Sequence, residues 1–179
     1  MISSLIPKYS FRRFTDVTPG FLQELGVSFL MLDLDNTVAK YAERLPNESV
    51  RLWVSDMVRN GIGLFFVSNS RRSIRVDTFS GALGIGFIKH ARKPSTDGLL
   101  RAMEIAGCPA GGSALLGDQI FTDTLAANRA GVISMIVRPL SLKNPFRFLR
   151  FAAETPFRAA SRGRQGSGIR DQETRDTND

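Results

Sequence analysis

Four groups of polar residues break an otherwise apolar pattern, each at the end of an apolar run. They are Asp33 and Asp35 in "FLMLDLDNT", Ser68 and Asn69 in "FFVSNS", Lys93 in "KHARKP", and Asp118 with Asp123 in "GDQIFTD". Singly, each has a plain reading: an Asp after a strand caps a helix, Ser-Asn makes a turn, and a lysine before proline is solvated. As an ordered set they suit phosphoryl transfer. A carboxylate nucleophile must approach an anionic phosphate, so a divalent cation and a lysine are needed to offset the repulsion. Asp33 and Asp118 offer hard oxygen ligands for Mg²⁺, with a backbone carbonyl and waters completing the shell. Lys93 is expected across from the metal, and Ser68 on a phosphoryl oxygen. Asp35, two residues along an extended chain from Asp33, points to the same side. One of the pair can attack while the other moves the proton.

The elements that must position these groups follow from hydrophobic periodicity. Short apolar runs at 27–34, 62–68, 85–88, 113–118 and 132–137 have strand length, and their near-continuous apolarity suits strands covered on both faces. Between them, "PNESVRLWVSDMVRNG" places Val50, Trp53, Val54, Met57 and Val58 on one helical face and stops at Gly61. Further helices are predicted over 71–83, 95–107 and about 123–130. Strands alternating with helices imply right-handed parallel crossovers, hence a three-layer, Rossmann-like α/β fold on one central parallel sheet. Ligands in such sheets bind at the carboxyl ends of the strands, near a reversal of strand order.

"DLDNT" (33–37), "VSNS" (67–70), "RKP" (92–94) and "GDQIFTD" (117–123) resemble, in order and spacing, the four motifs of the haloacid dehalogenase (HAD) phosphohydrolase superfamily. The resemblance covers about 18–139. It implies Asp33 as the nucleophile that forms an aspartyl-phosphate, Asp35 as general acid and base, and Ser68 and Lys93 as phosphate binders. It also implies Mg²⁺ held by Asp33, the backbone carbonyl of Asp35 and Asp118, with Asp123 supporting the metal shell. Only 30 residues separate Thr37 from Ser68, and the gap from Asn69 to Lys93 is shorter still, so neither holds a large cap domain. The layout is that of subfamily III A. The phrasing of the motifs, with "FTDVTP" upstream, is most similar to the YqeG-like phosphatases and to phosphatidylglycerophosphate phosphatases. That implies release of the terminal phosphate of phosphatidylglycerophosphate to give phosphatidylglycerol. Asn69 is expected to contact substrate, and Arg71 and Arg72, directly after the Ser-Asn pair, to hold a second phosphate at the rim.

The 179-residue chain carries a net charge of +7, concentrated late: residues 141–170 hold seven Lys and Arg against one Glu, before an acidic end, "DQETRDTND". The stretch "LKNPFRFLRFAAETPFRAASRGR" interleaves phenylalanines with five arginines, the composition of an interfacial helix on anionic phospholipid. The same residues also suit a final helix packed on the sheet or, less well, a nucleic-acid surface. The chain is expected to divide into an N-terminal basic amphipathic segment with a short helix (1–26), a hydrolase core (27–140), a basic aromatic helix (141–162) and a disordered tail (163–179). One cysteine, Cys108, and no apolar stretch of spanning length imply a cytoplasmic protein, peripheral on the inner face of a membrane at most. Two other readings compete: a phosphatase acting on a phosphoprotein or a nucleic-acid end, and a non-catalytic binding protein associated with ribosomes or GTPases. The intact acidic and lysine set argues against the second.

Overall fold

The computed structural model describes residues 2–70 and 73–161. Arg71, Arg72 and the expected tail lie outside the described residues. Six strands form one sheet: β1 (Tyr9–Phe11), β2 (Phe29–Leu32), β3 (Gly63–Val67), β4 (Gly86–Ile88), β5 (Ser113–Gly117) and β6 (Ile133–Val137). All pair in parallel, in the order β1-β6-β5-β2-β3-β4. The helices are α1 (Pro19–Glu24), α2 (Glu48–Arg59), α3 (Ser73–Leu83), α4 (Asp97–Ala106), α5 (Leu125–Ala130) and α6 (Pro145–Ala160). From β2 the chain runs outward through β3 and β4, then returns to the other side of β2 with β5. The reversal of strand order therefore lies at β2, where Leu32 pairs with Phe66 on one side and Leu116 on the other.

The apolar run of β2 is continuous because both of its faces are covered. Phe29 and Met31 pack with Phe65, Val67, Leu99 and Met103, while Leu30 and Leu32 pack with Leu64, Phe66, Trp53 and Met57. Each such side chain, fully buried, contributes roughly 1.5–3 kcal/mol. Leu34 joins the second cluster, so the alternation that buries it also separates it from Asp33 and Asp35. On α2, Asn47 caps the first turn by accepting from the Val50 N–H at 3.0 Å, and the Trp53 indole donates to the Val17 carbonyl at 2.8 Å.

Several boundaries differ from those expected. Strand β1 lies within the segment predicted to hold only a short helix, and it extends the sheet by pairing with β6. Val58 is 54% exposed, because it stands about 100° around the helix from buried Met57. The helix expected from Asp123 begins instead as a wide turn, Ile120–Thr124, that leads into α5. The C-terminal helix starts at Pro145, where Asn144 accepts from the Phe146 and Arg147 N–H groups. Among the described residues no helix is long and apolar enough to cross a membrane.

Candidate active site

The strand register brings three of the four polar groups together at the reversal point. Asp33 follows Leu32 directly, and its N–H donates to the Leu116 carbonyl at 2.9 Å, which fixes it one step from Asp118. Lys93 lies on the far side: its Nζ is 2.7 Å from Asp33 Oδ1 and 2.7 Å from Asp123 Oδ1. All four of Asp33, Lys93, Asp118 and Asp123 are buried. A buried charge is tolerated only where it is paired, and here one ammonium serves two carboxylates while Asp118 remains beside them.

The loop 118–123 is shaped to carry its two acids inward. Asp123 Oδ2 accepts from the Gln119 N–H at 3.0 Å. Gly117 permits this fold-back, since a Cβ there would sit 2.3 Å from the Asp123 carboxylate. Asp118 Oδ1 also lies 3.5 Å from the Thr37 hydroxyl, tying the loop to the turn after Asp35. That turn is pinned in the left-handed region at Asn36 (φ 66°), whose N–H donates to Ala39 and whose amide nitrogen donates to the Ser141 carbonyl.

Ser68 is buried, and its hydroxyl accepts from the Ser70 N–H at 3.0 Å, which leaves its own O–H as a donor. Asn69 is placed differently from expectation. Its amide brackets the backbone of Lys93, accepting from the N–H at 2.8 Å and donating to the carbonyl at 2.9 Å, so it orients the lysine.

Three residues of the site's support went unnoticed in the sequence. Buried Arg75 of α3 is ion-paired with Asp35 and donates to the carbonyls of Glu43 (2.6 Å) and Lys40 (2.7 Å). It holds Asp35 and the loop beyond it as one unit. Glu154, on the inner face of α6, accepts from the Ile120 N–H at 2.9 Å and pairs with Arg158 at 3.0 Å. Arg158 in turn donates to the carbonyls of Val137 and Asp118. The only signal in the sequence was a lone Glu four residues before an Arg in a basic helix.

Burial raises Asp33 to about 7; Lys93 opposes the shift and Asp123 adds to it. Asp118 is raised well above the usual carboxylate range by burial and then by the charges of Asp33 and Asp123, against Arg150 and Arg158. Burial alone would lower Lys93, but Asp123 and Asp33 outweigh it and keep the ammonium charged. Among the described residues no three His, Cys, Asp or Glu side chains gather into a preformed metal cage. Mg²⁺ does not require one, since it takes one or two carboxylates and keeps its waters. Asp33 and Asp118, two hard oxygen donors whose mutual repulsion a cation would relieve, fit that pattern, while Asp123 is turned toward Lys93.

Residues 90–139 match the HAD-hydrolase-like family model. Over 132 residues the chain is 36% identical to "Probable phosphatase YqeG" of Bacillus subtilis (strain 168), across 73% of this chain and 75% of that protein. Among solved structures it is similar to the cobalt-bound deoxy-D-mannose-octulosonate 8-phosphate phosphatase of Haemophilus influenzae. That match has TM-score 0.52 and 15% identity, over 79% of this chain and 93% of that one. The 3-deoxy-D-manno-octulosonate 8-phosphate phosphatase of Yersinia pestis is similar at TM-score 0.51 and 12% identity, over 82% and 88%. At those identities the structures speak for the fold, and the Bacillus relative speaks for the family. The parallel sheet and the match across three quarters of that relative lead to one assignment: this chain belongs to the HAD-like hydrolases, as a YqeG-like phosphatase.

Proposed function

We propose that the protein is a Mg²⁺-dependent phosphomonoester hydrolase working through an aspartyl-phosphate, and that it converts phosphatidylglycerophosphate to phosphatidylglycerol. The observation that carries this reading is the buried Asp33–Lys93–Asp123 cluster beside Asp118 at the carboxyl edge of β2 and β5. Asp33 attacks phosphorus, the bond to the leaving glycerol oxygen breaks, and that oxygen takes its proton from Asp35. Water then attacks the aspartyl-phosphate, gives its proton to Asp35, and releases phosphate. Ser68 and Lys93 hold the phosphoryl oxygens in both steps. Mg²⁺, held by Asp33, Asp118 and the Asp35 carbonyl, would supply neutralisation of phosphate charge; the similar Haemophilus influenzae enzyme binds cobalt.

The lipid assignment draws on the surroundings. Among the described residues α2 is the one helix between β2 and β3 and α3 the one helix between β3 and β4, and no inserted domain covers the site. Arg147 and Arg150 of α6 lie close to Asn36 and Asp118, which puts positive charge at the edge of the site. Next to them Phe146 (82%), Leu149 (69%) and Phe148 (59%) are exposed on α6, as suits a helix lying on anionic lipid.

The test offers purified protein with Mg²⁺ four substrates: phosphatidylglycerophosphate in mixed micelles, a phosphopeptide, a 5′-phosphorylated oligonucleotide and an aryl phosphate. Lipid kcat/KM should exceed that for the aryl phosphate by about 100-fold, the remote binding energy being used in the transition state. Phe146→Ser with Leu149→Ser should lower only the lipid rate. Equal turnover of lipid and aryl phosphate would reject the lipid, and preference for either of the other two would replace it.

Two further results are expected of this site. Arg75→Ala releases Asp35 and strips the Lys40 and Glu43 carbonyls of a donor. Breaking a buried pair costs about 3 kcal/mol or more, read by urea unfolding, and kcat should fall about tenfold with KM for aryl phosphate little changed. Arg75→Lys keeps the charge without the three-pronged geometry and should restore only part of either.

The second concerns pH without metal. Asp33 binds its proton more tightly folded (about 7) than unfolded (3.8), so the folded state carries the extra proton between those values. Stability is then lost as pH rises through 7. In EDTA, Tm should be higher at pH 6 than at pH 8 by about 4 °C. Saturating Mg²⁺ should raise Tm more at pH 8, and Asp33→Asn should flatten the metal-free profile. A metal-free Tm independent of pH in the wild type would contradict it.

A further inference from the structure

Two strands away from Asp118 along the same sheet edge lies a cavity of about 370 Å³ that the reaction above does not use. It opens where β1 and β6 end, under the inner face of α6, and its size falls within the range of small-ligand pockets, roughly 300–1,000 Å³. Its lining includes Arg12, Arg138 and Arg158, with Phe11 and Phe151 as apolar walls and Thr155 at the helix side. No carboxylate lines it.

The three arginines are brought together by the fold. Phe11 pairs with Val137 in the β1–β6 ladder, so Arg12 and Arg138 leave adjacent strands at the same level. Like charges side by side on paired strands are destabilising, and neither residue has an acid among its described ion pairs. Arg158 stands behind them, 8% exposed, with its guanidinium over the Phe151 ring at 4.8 Å. Its two terminal nitrogens are occupied by Val137, Asp118 and Glu154, but its Nε is buried without a hydrogen-bond partner. An oxyanion seated between Arg12 and Arg138 would offset the repulsion of that exposed pair. Arginine forks favour phosphate for this role.

We propose that this cavity is a second phosphate-binding site, distinct from the catalytic one, in which Arg12 and Arg138 grip a phosphate mono- or diester and Arg158 closes behind it. Arg158 also holds the Asp118 carbonyl, so an occupant is joined to the catalytic loop through a single side chain. The proposal is independent of the lipid assignment, because the site recognises a phosphate group whichever molecule carries it.

The experiment is calorimetric titration of the full chain at physiological salt in EDTA, where the metal-free carboxylates of the catalytic cluster repel a second anion. Inorganic phosphate and glycerophosphoglycerol, a soluble phosphodiester, are the two probes. The expected result is one site per chain, weakened at least tenfold in Arg12→Ala with Arg138→Ala and unchanged in Arg59→Ala with Arg101→Ala, a control pair on α2 and α4. Binding of phosphate alone identifies a free anion as occupant, and binding of the diester identifies a headgroup. Absence of binding for both probes, or equal weakening in the control pair, overturns the proposal.

Discussion

Asp33→Asn should give a folded protein with phosphatase turnover reduced by about 10⁴-fold or more, on lipid and on aryl phosphate alike. An amide cannot form the aspartyl-phosphate, and no other carboxylate can take its place. Asp123 is held by Lys93 and the Gln119 N–H, and Asp118 is aimed by the loop and by Arg158. Asp35→Asn should behave differently. With an aryl phosphate, whose leaving group needs no proton, attack by Asp33 survives and one equivalent of phenolate appears in a burst. The second step then stalls because water has lost its base. With the glycerol leaving group of the lipid, the first step stalls as well. A burst in Asp33→Asn, or steady turnover of the aryl phosphate by Asp35→Asn at the wild-type rate, would dismantle this assignment of the two acids. The substitution also exposes a trade: Asp33 is raised to about 7 because burial disfavours its charge. Removing that charge should therefore make the metal-free protein more stable while making it inactive.

What could be read in the residues beforehand was whatever depends on local periodicity. Five strands announced themselves as apolar runs, four of them largely buried and β4 a half-buried edge, and the acids at the ends of β2 and β5 stood out against that background. Strand β1 did not, since three residues flanked by Lys8, Arg12 and Arg13 carry no period and gain their burial only by pairing with β6. Arg75 was invisible for a different reason. Its partners, Asp35, Lys40 and Glu43, stand more than 30 residues away, and nothing in "RRSIRVD" distinguishes it from its neighbours. Asn69 was legible as a residue at a strand end but not in its orientation, which depends on where the backbone of Lys93 passes. Helix α6 inverted the usual rule: its buried anchors are Glu154 and Arg158, while Phe146, Phe148 and Leu149 face outward. A pattern that sorts apolar residues inward cannot find a helix docked by an ion pair.

That inversion makes α6 the place where a change remote from the reacting atoms should do the most damage. Glu154→Ala removes the acceptor of the Ile120 and Phe121 N–H groups and leaves Arg158 charged in a site where it is 8% exposed. Breaking a buried pair from one side costs about 3–5 kcal/mol, and for a domain of this size Tm should fall by roughly 10 °C. Glu154→Gln retains an acceptor for Ile120 but not the charge, so it should lie between the two. Replacing both partners, Glu154→Leu with Arg158→Met, removes the uncompensated charge and should recover most of the stability. Function separates the roles. The double variant still lacks the grip on the Asp118 carbonyl and on the first residues of the 120–124 turn, so its Mg²⁺ affinity should remain weakened by about 10- to 100-fold, as when support behind a metal ligand is lost. If stability and Mg²⁺ affinity recover together, Glu154 and Arg158 only fasten the helix. If Mg²⁺ affinity stays low while Tm returns, the C-terminal helix is part of the apparatus that aims Asp118, and its basic, apolar outer face is then carried on the same element that sets the metal site.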